Sequence, residues 1–298
     1  MSYRMRNAKV PTQGRIQGRF FLVGCPRSGT TLLQSLLAAH PRIASFPESH
    51  FFWSLVPNRP ALRAAGFALR RARPRFQAYV KQLGRAELRW RLARRARLMR
   101  QFVKAYVGIL DDLTLEQHKL KWVDKTPENL HYADVIERYV PGARFIHIVR
   151  NGPDVVASLY DVTRVHARRW HGPWGVDACI HRWNQDVDMT RRLVERRNHI
   201  AVRYEDLVAE PEQVLKELCA FLDVVYLREM IELAGQAAHA LIRKDELWKS
   251  HVTAGIAASG KCKFDSLFDE QHKAYIRERL SNLNGLGSRK PAPNGCAG

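Results

Sequence analysis

The residues best placed to do chemistry lie in a short turn bounded by two glycines. The apolar run 20–23 is followed by Gly24-Cys25-Pro26-Arg27-Ser28-Gly29-Thr30-Thr31, and residues 31–39 have the apolar spacing of a helix. A turn of this kind between a buried strand and a helix directs backbone N–H groups and the positive end of the helix dipole towards an anion. Arg27 adds a planar guanidinium that suits oxyanions. The turn therefore predicts a site for a phosphate-like anion.

The same turn lacks the lysine that nucleoside triphosphate chemistry requires. In the loops of nucleoside triphosphatases, which read G-x-x-x-x-G-K-[ST], this lysine contacts the β- and γ-phosphates. Gly24 and Gly29 keep that spacing here, but Thr30 occupies the lysine position. An ordinary glycine-containing connection between a strand and a helix is the alternative interpretation. We expect an anion at this turn, and we do not expect it to be ATP.

A second anion site is predicted at the end of another strand. The apolar run 144–149 leads into Arg150-Asn151-Gly152-Pro153-Asp154. We expect Asp154 to begin a helix, which places Ser158 about one turn in. Because open α/β sheets bind ligands beyond the carboxyl ends of their strands, Arg150 and Ser158 should lie on the same side as the first turn. Two separate sites imply a ligand with two anionic groups.

The remaining pattern places both sites on an α/β framework. A strand at 120–123 leads into the polar turn 124–129, and a helix at 130–140 stops before Pro141-Gly142. Alternating strands and helices predict an α/β fold of three layers around a mostly parallel central sheet. Strand signals are spread along the 298 residues, so we predict one domain over 1–298. The Gly-, Pro- and Asn-rich residues 285–298 predict a disordered tail.

Composition favours a globular enzyme in a reducing compartment. Apolar residues make up 46% of the chain. Residues 1–18 are polar and basic, and no run of about 18 apolar residues occurs, so we expect neither a signal peptide nor a transmembrane segment. The five cysteines are odd in number and have no metal-like spacing. We therefore predict a cytoplasmic protein, with membrane association left open, and a structural role for Cys25.

Much of the net charge of +20 is concentrated in one segment, 59–104, which has fifteen lysines and arginines against a single acid, Glu87. Apolar residues at helical spacing predict an amphipathic helix over 85–107 with an arginine-rich outer face. These residues are Leu88, Leu92, Ala96, Met99, Val103 and Tyr106. We interpret 55–120 as a helical insertion or lid within the domain. A solvated face, a lid for an anionic acceptor, and a surface for acidic membrane lipid or nucleic acid all stay open.

Four motifs in this order resemble those of sulfotransferases that use 3′-phosphoadenosine 5′-phosphosulfate (PAPS). The turn at Pro26-Arg27-Ser28-Gly29-Thr30-Thr31 is similar to the family's 5′-phosphosulfate loop, and Arg150 with Ser158 is similar to its 3′-phosphate site. Lys125-Thr126-Pro127 and Arg203-Tyr204-Glu205-Asp206-Leu207 resemble two further family stretches. The resemblance spans residues 20–221, with a weaker match at Ser259-Gly260-Lys261. It implies a PAPS donor, the product 3′-phosphoadenosine 5′-phosphate (PAP), and no metal.

The resemblance is closest to the branch that contains protein-tyrosine sulfotransferases and bacterial sulfotransferases. Ala39-His40-Pro41 and the following Phe46-Pro47-Glu48-Ser49-His50 carry it. By this match Glu48 is the candidate general base, and His50, the base in other branches, is the second candidate. Lys125, Arg27 and the loop would stabilise charge on the leaving phosphate and the sulfuryl group.

The resemblance also assigns the remaining binding residues. Thr30 and Thr31 would donate hydroxyl hydrogen bonds to the donor, and Tyr204 would lie near its adenine. Gly260 and Lys261 would belong to a C-terminal loop that closes over the 3′-phosphate.

The implied activity is transfer of the sulfuryl group to an acceptor hydroxyl. The arginine-rich segment favours an acidic acceptor, so we rank a glycan or glycolipid hydroxyl ahead of tyrosine. A P-loop kinase acting on a small molecule or nucleotide is one alternative, with Asp124 as its candidate Mg²⁺ ligand. A basic nucleic-acid-binding protein is another, but the basic segment lacks the interleaved aromatic residues of a base-stacking platform, and we expect no nucleic acid partner. The sequence does not indicate an oligomeric state.

Overall fold

A single parallel sheet organises the chain. The computed structural model describes residues 14–241 and 263–287, and within them the sheet has five strands in the order β2-β3-β1-β4-β5, with every neighbouring pair parallel. The strands are β1 (Gly18–Val23), β2 (Ile43–Phe46), β3 (Lys121–Lys125), β4 (Ala143–Val149) and β5 (His199–Arg203). The predicted α/β fold is confirmed, and the described sheet is wholly rather than mostly parallel.

Helices cover both faces of the sheet, which gives the three predicted layers. In chain order they are α1 (Thr30–Ala38), α2 (Phe51–Leu55), α3 (Pro60–Ala64), α4 (Ala72–Gln82), α5 (Met99–Glu116), α6 (Ala133–Tyr139), α7 (Gly152–Val165), α8 (Ala167–Trp170), α9 (Val176–Leu193), α10 (Tyr204–Ala209), α11 (Pro211–Leu222), α12 (Glu229–Glu232), α13 (Ala234–Leu241), α14 (Lys263–Leu267) and α15 (Glu270–Arg279). Two 3₁₀ helices, Ala86–Arg91 and Pro127–Tyr132, complete the described elements.

The central strand β1 explains why its sequence is a continuous apolar run. Phe21 and Val23 enter the core shared with α2, α4 and α5, whereas Phe20 and Leu22 enter the core shared with α1 and α11. A strand buried on both faces cannot alternate apolar with polar residues. The run is therefore a property of the middle position in a covered parallel sheet.

The parallel arrangement brings the candidate site residues to one edge. The glycine-bounded turn follows β1, Glu48 follows β2, and Lys125 is the last residue of β3. Arg150 follows β4 and Tyr204 follows β5. Each of the five strands thus delivers one predicted site residue at its carboxyl end.

The prediction of one amphipathic helix over 85–107 is wrong. The structure has a 3₁₀ helix, Ala86–Arg91, then irregular chain, and α5 begins only at Met99. The guanidinium of Arg73 donates to the carbonyl oxygens of Ala93 and Arg94, each at 2.9 Å, which stabilises the irregular stretch. The side chain of Gln101 accepts from the backbone N–H groups that precede α5 and so defines its start.

The apolar positions used for that prediction are nevertheless in the interior. Leu92, Ala96, Met99, Val103 and Tyr106 are buried, and Leu88 packs against the same core. The spacing therefore identified buried residues without identifying the backbone that buries them.

Smaller differences concern element boundaries and the C-terminal residues. The helix predicted at 130–140 is a 3₁₀ turn followed by α6, and the helix predicted to begin at Asp154 begins at Gly152, because the Asn151 side chain caps it. Gly260 and Lys261 lie outside the described residues, as does most of the predicted tail, which is described only to residue 287.

Replacing Phe21 with alanine should lower the free energy of unfolding by about 3–5 kcal/mol. The fully buried ring stacks on Phe145 with centroids 5.4 Å apart and meets Trp122 edge-on at 5.5 Å, so its removal leaves a cavity between the sheet and α2. Denaturant-induced unfolding measures the change. Val165→Ala is the control, because Val165 is 67% exposed, and it should change the same free energy by less than about 0.5 kcal/mol. A loss below about 1 kcal/mol for Phe21→Ala would contradict this packing.

Candidate active site

The turn after β1 requires glycine at both ends. Gly29 has a φ of +95°, and a Cβ atom there would lie 2.3 Å from the Tyr204 ring. Gly24 has a φ of +145°, and its Cβ would lie 2.3 Å from the carbonyl oxygen of Ile148. Both backbone conformations and both contacts exclude other residues. The glycines therefore allow the turn to lie close to the ends of β4 and β5.

The Ser28 side chain and the N-terminus of α1 supply polar groups to this turn. The Ser28 hydroxyl is buried and has no hydrogen-bond partner among the described residues. Gly29 caps α1 without a side chain, so the first-turn N–H groups of that helix receive no side-chain cap. A buried hydroxyl and an uncapped helix N-terminus together form the kind of site that binds an oxyanion. An anion at this turn stays a prediction.

Arg27 links the turn to the second anion site. Its Nε donates to the Ser158 hydroxyl on α7 at 3.0 Å. Burial, and next the positive charge of Arg150, lower the pKa of Arg27 to about 10. The positive charges of Arg27 and Arg150 make this edge of the sheet electropositive. An anion placed between them would relieve their mutual repulsion.

Arg150 is held in place from several sides. Its guanidinium lies 4.3 Å from the centroid of the Tyr204 ring, and it pairs with Asp154 at 2.9 Å. The turn that carries it is fixed by Asn151, whose backbone and side-chain N–H groups both donate to Glu205. The Nε of Arg150 is buried and has no partner in the described part of the chain.

Tyr204 joins the two sites into one surface. Its ring lies against Gly29 on the first turn and beneath the Arg150 guanidinium. The sequence placed this residue near the ligand only by resemblance. Its location between the two predicted anion sites is a finding of the structure.

A cluster of alternating charges lies at the ends of β2 and β3. The ammonium group of Lys125 donates to Glu48, and the second carboxylate oxygen of Glu48 lies 3.4 Å from Nε2 of His50. Nδ1 of His50 lies 3.5 Å from Glu128. Lys125 is buried. Glu48, His50 and Lys125 are residues predicted from the sequence, and Glu128 joins them through His50.

His50 is a poor proton acceptor in this cluster. Burial alone would lower the pKa of its imidazole, but contacts with Glu128 and Glu48 outweigh burial and raise that pKa to about 9. His50 is therefore positively charged at neutral pH. In turn, His50 holds the pKa of the Glu128 carboxyl below its ordinary value in spite of burial.

Two residues of the arginine-rich segment position the Glu48 turn, and no motif in the sequence indicated them. Nε of Arg75 on α4 donates to the carbonyl oxygen of Ser49 at 2.6 Å. The hydroxyl of Tyr79, one helical turn later, donates to the carbonyl oxygen of Pro47 at 3.2 Å. Two residues of α4 thus hold the backbone on both sides of Glu48.

Asp124 is a structural residue in the interior. Its buried carboxylate accepts hydrogen bonds from Tyr106 at 2.7 Å, Thr126 at 2.8 Å and Asn129 at 3.2 Å. Burial raises its pKa above the ordinary value. A carboxylate saturated in this way is not placed to coordinate a Mg²⁺ ion on a bound nucleotide. This geometry disfavours the kinase alternative.

Cys25 and His147 are interior residues. Burial, followed by the charge of Asp186, raises the pKa of the Cys25 thiol well above its ordinary value, which is the opposite of a nucleophilic cysteine. His147 is fully buried in β4 and hydrogen bonds to His199 at 2.8 Å.

Comparison with known proteins decides the family. Residues 19–227 match the profile described as the sulfotransferase family. The chain belongs to the sulfotransferase family. The matched range includes the turn, Glu48, Lys125, Arg150 and Tyr204, and it agrees with the predicted range of 20–221.

Curated relatives of this sulfotransferase include protein-tyrosine sulfotransferases. It is 26% identical to protein-tyrosine sulfotransferase 2 of Gallus gallus over 275 residues, which cover 87% of this chain and 68% of that protein. It is 34% identical to the nodulation protein NoeE of Sinorhizobium fredii over 232 residues, which cover 68% of this chain and 49% of that protein. The chain spans only 28% of a matched Aquifex aeolicus protein and 40% of the matched Drosophila melanogaster protein-tyrosine sulfotransferase.

Two solved structures share the fold. The sulfotransferase domain of the curacin biosynthetic pathway has a TM-score of 0.54 and 21% identity, covering 89% of this chain and 98% of that domain. The sulfotransferase domain of the Synechococcus PCC 7002 olefin synthase has a TM-score of 0.53 and 22% identity, covering 91% and 98%. At these identities the two structures show a shared fold, and the family assignment comes from the match over residues 19–227. Among the described residues, no helix is long and apolar enough to cross a bilayer.

The stability of this sulfotransferase should depend on pH through His50. Because the pKa of His50 is raised to about 9 in the folded state from an ordinary value of about 6.5, its charged contacts stabilise the fold fully below about pH 6.5 and are lost as pH rises through 9. The free energy of unfolding of the wild type minus that of His50→Gln should fall by on the order of 1–2 kcal/mol between pH 6.5 and 10, after allowance for solvent screening of a partly exposed ring. Urea unfolding at a series of pH values measures it. A difference that stays constant over this range would contradict the charged cluster.

Proposed function

We propose that this sulfotransferase transfers the sulfuryl group of PAPS to an acceptor hydroxyl, with Glu48 as the general base. The observation that carries the proposal is the hydrogen bond from Arg27 to Ser158, 3.0 Å long, beside Arg150. It brings the two candidate anion sites, which are far apart in sequence, onto one electropositive surface. A donor with phosphate groups at both ends of a ribose fits that surface better than a mononucleotide with one.

Unpartnered polar groups support the fit of the donor. The Ser28 hydroxyl and the Arg150 Nε are buried and have no partner within the described ranges. We assign Pro26 to Thr31 to the 5′-phosphosulfate, with Arg27 as its guanidinium, and Arg150 with Ser158 to the 3′-phosphate. Tyr204, between these two groups, would contact the adenosine. Gly260 and Lys261 stay assigned to a closing loop by resemblance alone.

The chemistry required of the protein is proton removal and charge stabilisation. PAPS supplies an already activated sulfuryl group in its phosphosulfate anhydride, so we propose no metal. Glu48 would take the proton of the acceptor hydroxyl, because it is the carboxylate at the site edge that contacts Lys125. His50, with its raised pKa, would stay protonated and orient Glu48 rather than act as base. Lys125 and Arg27 would stabilise the charge that develops on the transferred and leaving groups.

The acceptor is proposed from charge. The fifteen cations of segment 59–104 favour an anionic acceptor, and α4 of this segment contacts the Glu48 turn directly. We rank a glycan or glycolipid hydroxyl first. A tyrosine in an acidic peptide is the second candidate, since several curated relatives are protein-tyrosine sulfotransferases.

Glu48→Gln should lower the rate of sulfate transfer by about 10²–10⁴-fold while binding of PAP is retained. The measurement is transfer of ³⁵S-sulfate from labelled PAPS to a panel of glycans, glycolipids, phenols and acidic tyrosine peptides, with PAP binding followed by calorimetry. His50→Gln should keep transfer within about tenfold of wild type, because a protonated histidine takes no proton. Glu87→Gln is the matched control, since Glu87 is exposed and should leave the rate unchanged.

Two results would contradict this assignment. If His50→Gln loses as much activity as expected for Glu48→Gln, and Glu48→Gln stays active, His50 is the base. If the wild type binds neither PAPS nor PAP, the proposed donor is wrong. Whenever transfer occurs, the labelled product identifies the acceptor class.

A further inference from the structure

An exposed apolar surface lies beside the candidate active site. It consists of Trp53 on α2, the helix α3 and Phe67, and is called here the Trp53 surface. Trp53 is 50% exposed, Leu62 on α3 is 40% exposed and Phe67 is 44% exposed. None of the five residues of α3 is buried. A helix that buries no residue of its own is not explained by packing within the described chain.

The Trp53 surface is held rigidly. The guanidinium of Arg71 stacks on the Trp53 ring at 4.3 Å and donates to the Trp53 carbonyl oxygen at 2.8 Å. Arg63 on α3 donates to the carbonyl oxygen of Pro57 at 3.0 Å. Leu69 donates its backbone N–H to the carbonyl oxygen of Leu55 at the end of α2. These bonds tie both ends of the surface to α2, so its apolar side chains are presented in a fixed arrangement.

The charge of this region is uniformly positive. Arg59, Arg63, Arg70 and Arg71 lie within or next to the Trp53 surface, in a segment that has Glu87 as its only acid. Arg85 and Arg91 of this segment form ion pairs with acidic side chains, and both lie outside the Trp53 surface. The arginines at the surface itself can therefore meet an anionic partner.

We propose that the Trp53 surface docks on an anionic lipid bilayer. Tryptophan, phenylalanine and leucine side chains that project from an arginine-rich face match the chemistry of a bilayer interface, where the apolar groups enter the acyl boundary and the guanidiniums meet the phosphates. The surface is only a few residues from the site, because α2 begins directly after His50. Docking would place the Glu48 turn next to the headgroup layer. The proposal does not depend on the identity of the donor or acceptor.

A nucleic acid fits the surface less well. Arg71 covers one face of the Trp53 ring, which leaves a single face for base stacking. The exposed aliphatic residues Leu62, Ala61 and Ala64 of α3 would also contribute nothing to a sugar-phosphate backbone. They would contribute to the affinity for a bilayer.

The test is flotation of the full chain with large unilamellar vesicles. Vesicles of phosphatidylcholine alone are compared with vesicles containing 30% phosphatidylglycerol, at low and high NaCl concentration. The protein should bind the anionic vesicles at low salt and lose most binding at high salt or on phosphatidylcholine alone. The variant Trp53→Ser/Leu62→Ser/Phe67→Ser should lower the partition coefficient at least tenfold. Arg59→Ser and Arg70→Ser should each lower it about fivefold.

Matched substitutions on other surfaces serve as controls. Val165 and Val225 are 67% and 76% exposed outside the region, and Val165→Ser/Val225→Ser should leave partitioning unchanged. Arg168→Ser, on α8, is the control for charge. Thermal melting confirms that each variant is folded. No binding of the wild type to anionic vesicles would overturn the proposal. Unchanged vesicle binding by the Trp53→Ser/Leu62→Ser/Phe67→Ser variant, or tighter binding to a single-stranded oligonucleotide or an acidic peptide than to vesicles, would also overturn it.

Discussion

The fact that all five described strands run in the same direction is the constraint on which the rest of the structure depends. Parallel strands end at one edge of a sheet, and their connections must return across the helical layers to start again at the other. Five segments that are far apart in sequence, after residues 23, 46, 125, 149 and 203, are therefore forced together. The glycines of the first turn then permit the close approach that puts Tyr204 against Gly29. The direction and order of the strands bring the site residues together, and no single contact would do so.

Charge at this edge is organised in two different ways. On the β1 and β4 side, Arg27 and Arg150 face each other, and the pKa of Arg27 is lowered by burial and by this neighbour. Such a site is costly until an anion arrives, which makes it suited to binding. On the β2 and β3 side, Lys125, Glu48, His50 and Glu128 alternate in sign and neutralise each other. That arrangement is suited to holding a carboxylate in a defined position. The β1 and β4 side thus favours binding of an anion, and the β2 and β3 side favours chemistry that needs a carboxylate in a fixed orientation.

Local patterns in the sequence were sufficient for the parts of the structure that depend on local physics. The apolar run before Gly24 and the turn before Ser158 predicted strands and strand ends, because a strand buried on both faces needs apolar residues and a turn with positive φ angles needs glycine. The helix over 85–107 failed because Arg73, from another element, stabilises irregular chain there. Arg75, Tyr79 and Glu205 support the site through contacts distant in sequence, and their residue types carry no sign of such partners. Asn151, by contrast, could have been identified from the helix-capping pattern.

The most direct test of the account is the binding of adenosine 3′,5′-bisphosphate, measured by calorimetry in EDTA and compared with adenosine 5′-monophosphate, for the wild type and Arg150→Ala. If one electropositive surface binds both phosphates, the bisphosphate binds at least tenfold more tightly than the monophosphate to the wild type, and this preference is lost in Arg150→Ala while monophosphate binding is retained. Equal affinity for the two nucleotides in the wild type, or binding only of ATP with Mg²⁺, would contradict the account.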